Sequence, residues 1–524
     1  MATLTPAATR QPGSAELGGA ARHGVANLAG VALAALAGFG LNVVVARSWP
    51  IGEAGLFFAA SSAFVIAYGA TRLGADLGSV YFLSRYRVLG QPERLRAAVL
   101  AGLLPVLGLG TVIAVTGWWW SPAVAEALFP QAGPGAVDAL RILLVFVPFA
   151  AASDVALAAC QGFRQMRPLI LVERLGRNAL QTLAVLGTAG LGLSVTTALP
   201  VAWAAPYLPA AAVALVWLAL LVRRAERAAA AAGRPAPVSV REQWRPYWRF
   251  TGPRALGSLA QMVVQRADIV LLGALRGLSD AAIYTAATRF LALGQLSGQA
   301  LSTAVQHRLA EHLARDDRAA AGRLYQAATA WLVLLAWPLY LLFAVFAGPT
   351  LALFGDGYAA GAMVTVYLAL TMLVATGCGA VDAVLNMAGK TTWTFGNALA
   401  GTVLNLGMNV LLIPRYGIMG ATAAWSTSIL LTNLLPLAQL RWRLGLHPFG
   451  RGTLVAAALA LACFGAPPLV ARGLVGDGPG VLAGTAAVGA LGYAAAAWRL
   501  RGVLQLDALR SLRRRGGGGG PGAA

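Results

Sequence analysis

Fourteen apolar runs, nearly all of them about twenty residues long, leave this chain few ways to fold. They lie at about 24–46, 53–75, 97–119, 139–161, 168–192 and 198–222, then at about 251–275, 280–305, 324–347, 360–386, 391–413 and 418–441, and finally at about 452–471 and 480–498. A helix of about twenty residues crosses a hydrocarbon layer about 30 Å thick. The first run is too long for a signal-peptide core and reads as a spanning helix. Hydrophobic residues make up 58% of the chain and charged residues 11%, where soluble domains carry about 25% charged; the mean hydropathy is +0.69. The fold class that follows is an all-α integral membrane protein with about 14 transmembrane helices.

The arginines test that count, because with fourteen crossings alternate connections face the same side. One set of connections holds Arg85, Arg87, Arg94 and Arg96; Arg164 and Arg167; the cluster from Arg223 to Arg254; Arg308 to Arg323; Lys390; Arg441, Arg443 and Arg451; and Arg499 to Arg515. The other set holds only Arg47, Arg141, Arg276, Arg415 and Arg472. The positive-inside rule then predicts both termini in the cytoplasm. It also explains the net charge of +21 by topology and by attraction to anionic membrane lipids, with no need of nucleic acid. Trp118, Trp119 and Trp120 close the third run and fit an outer aromatic belt.

The chain is read as doubled. NVVVARSWPIGEAGLFFAASSAF from Asn42 runs in step with the segment from Asp268 to Phe290. Leu128 to Pro130 falls opposite Leu353 to Gly355, DVALAACQG from Asp154 is echoed by DAVLNMAGK from Asp382, and all the offsets lie near 226 residues. Six crossings per half give both halves one orientation, so the repeat predicts two six-helix bundles related by an axis along the membrane normal, plus two extra C-terminal helices. The expected divisions are a disordered cytoplasmic leader at 1–22, bundles at 23–222 and 250–445, a basic cytoplasmic linker at 223–249, the extra helices at 446–500, and a basic then Gly-rich disordered tail at 501–524.

Several stretches resemble a known family: ARSWPIGEAGLF near the first turn, ADIVLLG followed by AIYTAATRF, FGDGYAAGAMV, and above all NMAGKTTWTFGNALAGTVLNLGMNVLLIPRYGIMGATAAW from Asn386 to Trp425. The sequence is similar to polysaccharide-biosynthesis flippases of the O-antigen type, in the multidrug, oligosaccharidyl-lipid and polysaccharide exporter superfamily. The likeness covers about residues 24–445 and is weakest over the last two helices. It implies a central cavity between the bundles and alternating access that carries a lipid-linked oligosaccharide from the inner to the outer leaflet of a bacterial cytoplasmic membrane. A glycan polymerase and glycosyltransferases of the same pathway would be partners.

Such a cargo has an anionic pyrophosphate head, and its path should be wet and basic. The candidate substrate-binding residues are Arg174, Arg177, Arg266 and Arg289. Glu173 and Arg177 stand at i, i+4 and can pair. For Arg174 and Arg177, snorkelling to the inner interface is the rival of cargo contact. Arg266 and Arg289 lie too deep to snorkel easily, and Asp268 can pair with Arg289 across the helical hairpin; a structural lock and a cargo or proton site both fit that trio. Asp268, Asp154, Asp382, Arg72 and Asp76 are the candidate coupling or gating residues. Arg72 and Asp76, again at i, i+4, read first as a boundary salt bridge, and Asp154 and Asp382 first as solvated helix ends. Asn386, Asn405 and Asn409 read as helix-joining amides.

Other chemistries find no support. His23, His307, His312 and His447 sit at edges or loops and make no metal or general-base cluster. Cys160, Cys378 and Cys463 lie in apolar runs without ligand spacing. No GxxxxGK[ST] loop exists, and the outer loops are short for a glycan polymerase or ligase. No cofactor is expected; a proton or sodium gradient or the membrane potential would drive transport. A lipid II flippase for peptidoglycan, a cation-coupled multidrug exporter and a non-transporting scaffold for glycan assembly remain the alternatives, and a cationic drug calls for a more acidic cavity than this.

Overall fold

In the computed structural model, which describes residues 33, 35–234, 236 and 238–506, every regular element is a helix. The 1–22 leader, the beginning of the first run and the Gly-rich tail from 507 onward lie outside the described residues. The helices are α1 (Ala35–Ser48), α2 (Ile51–Val88), α3 (Pro92–Leu128), α4 (Pro134–Gly162), α5 (Leu169–Arg177 continued by Asn178–Gly190), α6 (Ala198–Ala231) and α7 (Val240–Leu275). They continue with α8 (Leu278–Ala314), α9 (Arg318–Val345), α10 (Asp356–Met387), α11 (391–416), α12 (418–444), α13 (Arg451–Val475) and α14 (Pro479–Arg499).

Among the described residues nine helices are long and apolar enough to cross a membrane, with Thr391–Leu444 counted as one. That one is a hairpin. Gly417 takes φ 55°, ψ −132°, and across the bend Ser428 Oγ donates to the Gly401 carbonyl at 2.8 Å while the Asn397 and Gln439 amides bond each other at 2.8 and 3.0 Å. With the hairpin divided, four more helices stand among the described residues: α1, fourteen residues long there, α5, whose first nine residues are wound as a wider π-helix, and α7 and α8, which carry the charged residues. The two sets of connections gather at opposite ends. At the arginine-rich end Val238 N–H donates to the Glu93 carbonyl at 2.9 Å. At the other end Arg47 bonds the Leu353 carbonyl at 2.7 Å and Trp49 the Leu193 carbonyl at 3.0 Å.

The expected linker at 223–249 is helical at both ends, with a break at 232–239. α6 runs on to Ala231 and α7 begins at Val240, because Ser239 caps it: the Ser239 hydroxyl accepts the Glu242 N–H at 3.3 Å. The expected loose tail is also seated at its start, where Leu504 is buried and its carbonyl accepts Trp331 Nε1–H at 2.9 Å. α13 and α14 pack on α9 through contacts such as Tyr493 Oη to the Leu334 carbonyl at 2.8 Å.

The halves meet at the arginine-poor end and part at the other. One core joins Phe57, Phe64 and Phe129 of the first half to Leu272, Phe290 and Phe354 of the second. There Gly55 lies so close to the start of α8 that a Cβ would collide with the Leu278 carbonyl oxygen. Toward the arginine-rich end the cores separate, one around Phe82, Leu157 and Tyr247, the other around Leu309, Tyr325 and Leu385. The lower part of α7 goes with the first half: Tyr247 Oη donates to the Ala75 carbonyl at 2.9 Å and stacks on Phe82.

Candidate functional site

Two groups of intramembrane charge result, one in each half. In the first half, α2 breaks after Arg72, where Leu73 and Gly74 both take left-handed conformations with φ 50° and 69°. Gly74 is needed there, since a Cβ would also stand 3.2 Å from Ala255 N of α7. The break sets Arg72 against α4: its Nη1 lies 3.1 Å from Asp154 Oδ2 and 3.5 Å from Asp76 Oδ2. On α5, Arg177 grips Glu173 at 2.6 Å, bonds Gln181 Oε1 at 3.1 Å and lies over the Tyr207 ring at 4.7 Å. Asp154 is within electrostatic range of Glu173, Arg72, Arg177 and Asp76, so the two pairs form one network of two arginines and three carboxylates.

The network corrects one expectation and extends another. Asp154 is not a solvated helix end: it ties α4 to α2 through Arg72. The Arg72 and Asp76 contact exists, but it is the longer of two that Arg72 makes. Arg177 is held by three neighbours and has only 12% of its side chain exposed, which leaves it no snorkelling conformation. Arg174 is half-buried beside it. Gln181, Tyr68 and Tyr207 complete the network; Gln181 and Tyr68 stand four residues from Arg177 and Arg72, a signal the sequence offers, whereas Tyr207 comes from α6 and only packing brings it in.

In the second half, a cavity of about 1090 Å³ lies between α7 and helices α8, α10, α11 and α12. Its walls bring together Arg266 and Asp268 of α7, Arg289 of α8, and Asp382 and Asn386 of α10. Arg266 stands ten residues from the turn at Arg276, about 15 Å along the helix and so near mid-membrane. The expected pair between Asp268 and Arg289 does not form. Asp268 is buried, with one oxygen accepting the Tyr284 hydroxyl at 2.7 Å and the other the Ile269 N–H at 2.9 Å. Tyr284, one turn nearer the arginine-poor end than Arg289, takes the carboxylate first; a Tyr in an apolar run was the signal missed.

Arg266 and Arg289 are thus left without a carboxylate within 4.0 Å among the described residues. The two cations lie within electrostatic range of each other and of Asp268, and Arg289 Nε is buried without a hydrogen-bond partner. A charge in a low-dielectric wall without a close partner is costly, so two half-buried guanidiniums on one wall are suited to an anion that bridges them. Gln265 and Gln295, which the sequence reading left aside, add neutral donors to the same walls. Asp382 faces the cavity near the arginine-rich end, and Asn386 follows it one turn on. Asn405 and Asn409 sit elsewhere, buried in α11, with Asn409 donating to Asn405 at 3.1 Å. Among the described residues no group of His, Cys, Asp and Glu could hold a metal ion.

Residues 253–411 match the MatE family model. The MatE stretch runs from within α7 to within α11 and contains Arg266, Asp268, Arg289 and Asp382. Solved structures resemble the chain over more of its length. The lipid II flippase MurJ, in an inward closed conformation, superposes with a TM-score of 0.69 at 11% identity, covering 90% of this chain and 98% of that one. An inward-facing multidrug resistance MATE family transporter of the MOP superfamily gives 0.62 at 16% identity, over 79% of this chain and 94% of that one. A MOP superfamily transporter from Pyrococcus furiosus, for which a reverse polarity of the binding pocket suggests a different function, gives 0.54 at 16%, over 81% and 95%. No curated protein sequence matches the chain. The fold is that of MurJ and the MATE transporters.

Proposed function

We propose that this protein is a transporter and not an enzyme: a flippase that moves a polyprenyl-pyrophosphate-linked oligosaccharide from the inner to the outer leaflet of a bacterial cytoplasmic membrane, for exopolysaccharide, capsule or O-antigen-like assembly. The observation that supports this reading is the pair Arg266 and Arg289, two cations on the wall of a mid-membrane cavity with no carboxylate within 4.0 Å among the described residues. A pyrophosphate offers them charge-assisted, bidentate bonds in place of hydration. The cavity also reaches the arginine-rich ends of α10 and α11, at Asp382, Asn386 and Thr394. With those ends in the cytoplasm, along with both termini, the arrangement suits loading from the inner leaflet. Rocking of the bundle at 23–222 against that at 250–445 would then expose the cargo on the other side. Arg174 serves as a first contact near the entry, and the Arg72 to Arg177 network, Asp76 and Asp154 included, braces the bundle that rocks.

The test is reconstitution in liposomes with a labelled polyprenyl-pyrophosphate oligosaccharide and an external lectin, under a proton gradient, a sodium gradient or an imposed potential. Lectin access that depends on the protein supports the reading and identifies the drive. Lipid II shares the pyrophosphate and is run beside it, as the arm that separates peptidoglycan from polysaccharide cargo. Movement of a cationic dye with neither lipid exposed would sink the proposal.

A further inference from the structure

The connection from α12 to α13 folds back over the end of α12. Gly445 ends the helix in the left-handed region at φ 69°, and the following residues alternate, with Leu446 and Pro448 buried and His447 and Phe449 turned outward. Leu446 packs with Leu309, Tyr325 and Leu440, and the Pro448 carbonyl accepts the Thr453 hydroxyl at 2.8 Å. Fixed at both points, the loop closes one side of a notch of about 490 Å³ whose other wall is Leu434, Leu437, Ala438, Arg441 and Trp442.

This notch does not belong to the cavity. Ile429 and Thr432 of α12 face the cavity, and Leu434 and Ala438 lie about 120–180° around the helix from both, toward the surrounding lipid. Three apolar side chains lead along the helix to one cation that has no carboxylate within 4.0 Å among the described residues. His447 offers a ring N–H beside it in either protonation state. Trp442 and Phe449, 81% and 53% exposed, flank the opening as interfacial aromatics do. The profile is that of an amphiphile with an anionic head at the arginine-rich membrane surface.

We propose that the notch seats one anionic glycerophospholipid of the adjoining leaflet, its phosphate between Arg441 and His447 and an acyl chain along Leu434, Leu437 and Ala438. The equivalent helix of the first half supplies the contrast. On α6, an apolar face of Val213, Val216 and Leu220 leads likewise to Arg224 in a groove of about 510 Å³, but all the residues that line it belong to α6 itself. An arginine near headgroups is common to both places; a second wall that brings a polar partner, His447, beside the arginine is the feature of the α12 notch.

The experiment is native mass spectrometry of the full chain released from detergent micelles titrated with dioleoylphosphatidylglycerol or dioleoylphosphatidylcholine. The expected result is retention of phosphatidylglycerol in preference to phosphatidylcholine, with affinity about tenfold weaker in Arg441→Gln and weaker in His447→Gln, as loss of charge-assisted bonds dictates. Arg224→Gln should leave retention unchanged. Leu437→Trp, which fills the notch and keeps every charge, should abolish it, and an unchanged melting temperature in each variant shows that folding is intact. Equal retention of the two lipids, an equal loss in Arg224→Gln, undiminished retention in Leu437→Trp, or displacement by polyprenyl phosphate at a lower concentration than phosphatidylglycerol would each overturn the proposal, the last by making the notch part of the cargo path.

Discussion

One pair of intramembrane arginines in each half has surroundings opposite to the other. Arg72 and Arg177 lie 3.1 and 2.6 Å from carboxylates; Arg266 and Arg289 border the large cavity and, among the described residues, have no carboxylate within 4.0 Å, since Asp268 beside them is bonded by Tyr284. A guanidinium that is already neutralised has little left to offer an anion, so the first pair braces helices. A guanidinium held beside a like charge in a low-dielectric wall is a site in want of a ligand. Had the arrangement been reversed, the first half would carry the binding surface. On the proposed function, the difference separates stability from transport, and variants can test that separation directly.

The largest expected effect on stability is in the braced half. Asp154→Ala leaves Arg72 with only Asp76, the more distant partner at 3.5 Å, and should destabilise the protein by about 3 kcal/mol, the lower end for removing one partner of a buried pair. Thermal unfolding of the purified protein measures it. If Asp154→Ala kept its melting temperature while transport stopped, the network would be a working site and the contrast between the halves would fail. Next come Arg266→Gln and Arg289→Gln, each expected to slow cargo exposure at least about tenfold by removing a charge-assisted bond, with the melting temperature unchanged or raised, since an unpaired charge has been deleted. A fall in melting temperature as large as that of Asp154→Ala would make these arginines structural.

A smaller effect belongs to the break in α2 that sets Arg72 against Asp154. Gly74→Ala puts a Cβ at φ 69° and within 3.2 Å of Ala255 N, and should cost about 1–2 kcal/mol from the left-handed conformation alone. Unchanged stability would mean that the break straightens without loss and that the brace does not depend on it.

The helices were legible because length and apolar composition are sufficient to define a crossing. Their ends were not, and α7 is the instructive case. Arg241, Arg245 and Arg249 make its first three turns look like a linker to any reading by hydropathy, while the Ser239 cap that starts the helix is a local signal independent of hydropathy. Arg177 with Glu173 was legible because both residues lie on one helix at fixed spacing. Asp154 with Arg72 was not, since 82 residues separate them and only the packing of α2 on α4 joins them. The same holds for Asp268, where adjacency across a hairpin left Arg289 and Tyr284 both in range, and one turn of helix decided for the tyrosine.

The smallest expected effect is the one that discriminates best between cargo classes. Asp382 opens onto the cavity toward the arginine-rich end, in the same volume as Arg266 and Arg289 but without an ion-pair partner among the described residues. Its carboxylate repels an anionic head on the way in and attracts a cationic one. In a water-filled vestibule such a charge is worth a fraction of a kcal/mol, so Asp382→Asn should raise the initial rate of lipid-linked oligosaccharide exposure by about twofold at low cargo concentration. High salt should erase the difference, because the interaction is screened. A twofold fall, with uptake of a cationic dye falling in parallel, would show that the cavity is organised around its acid and that the two arginines are counter-charges to it, which reverses the assignment of the second half.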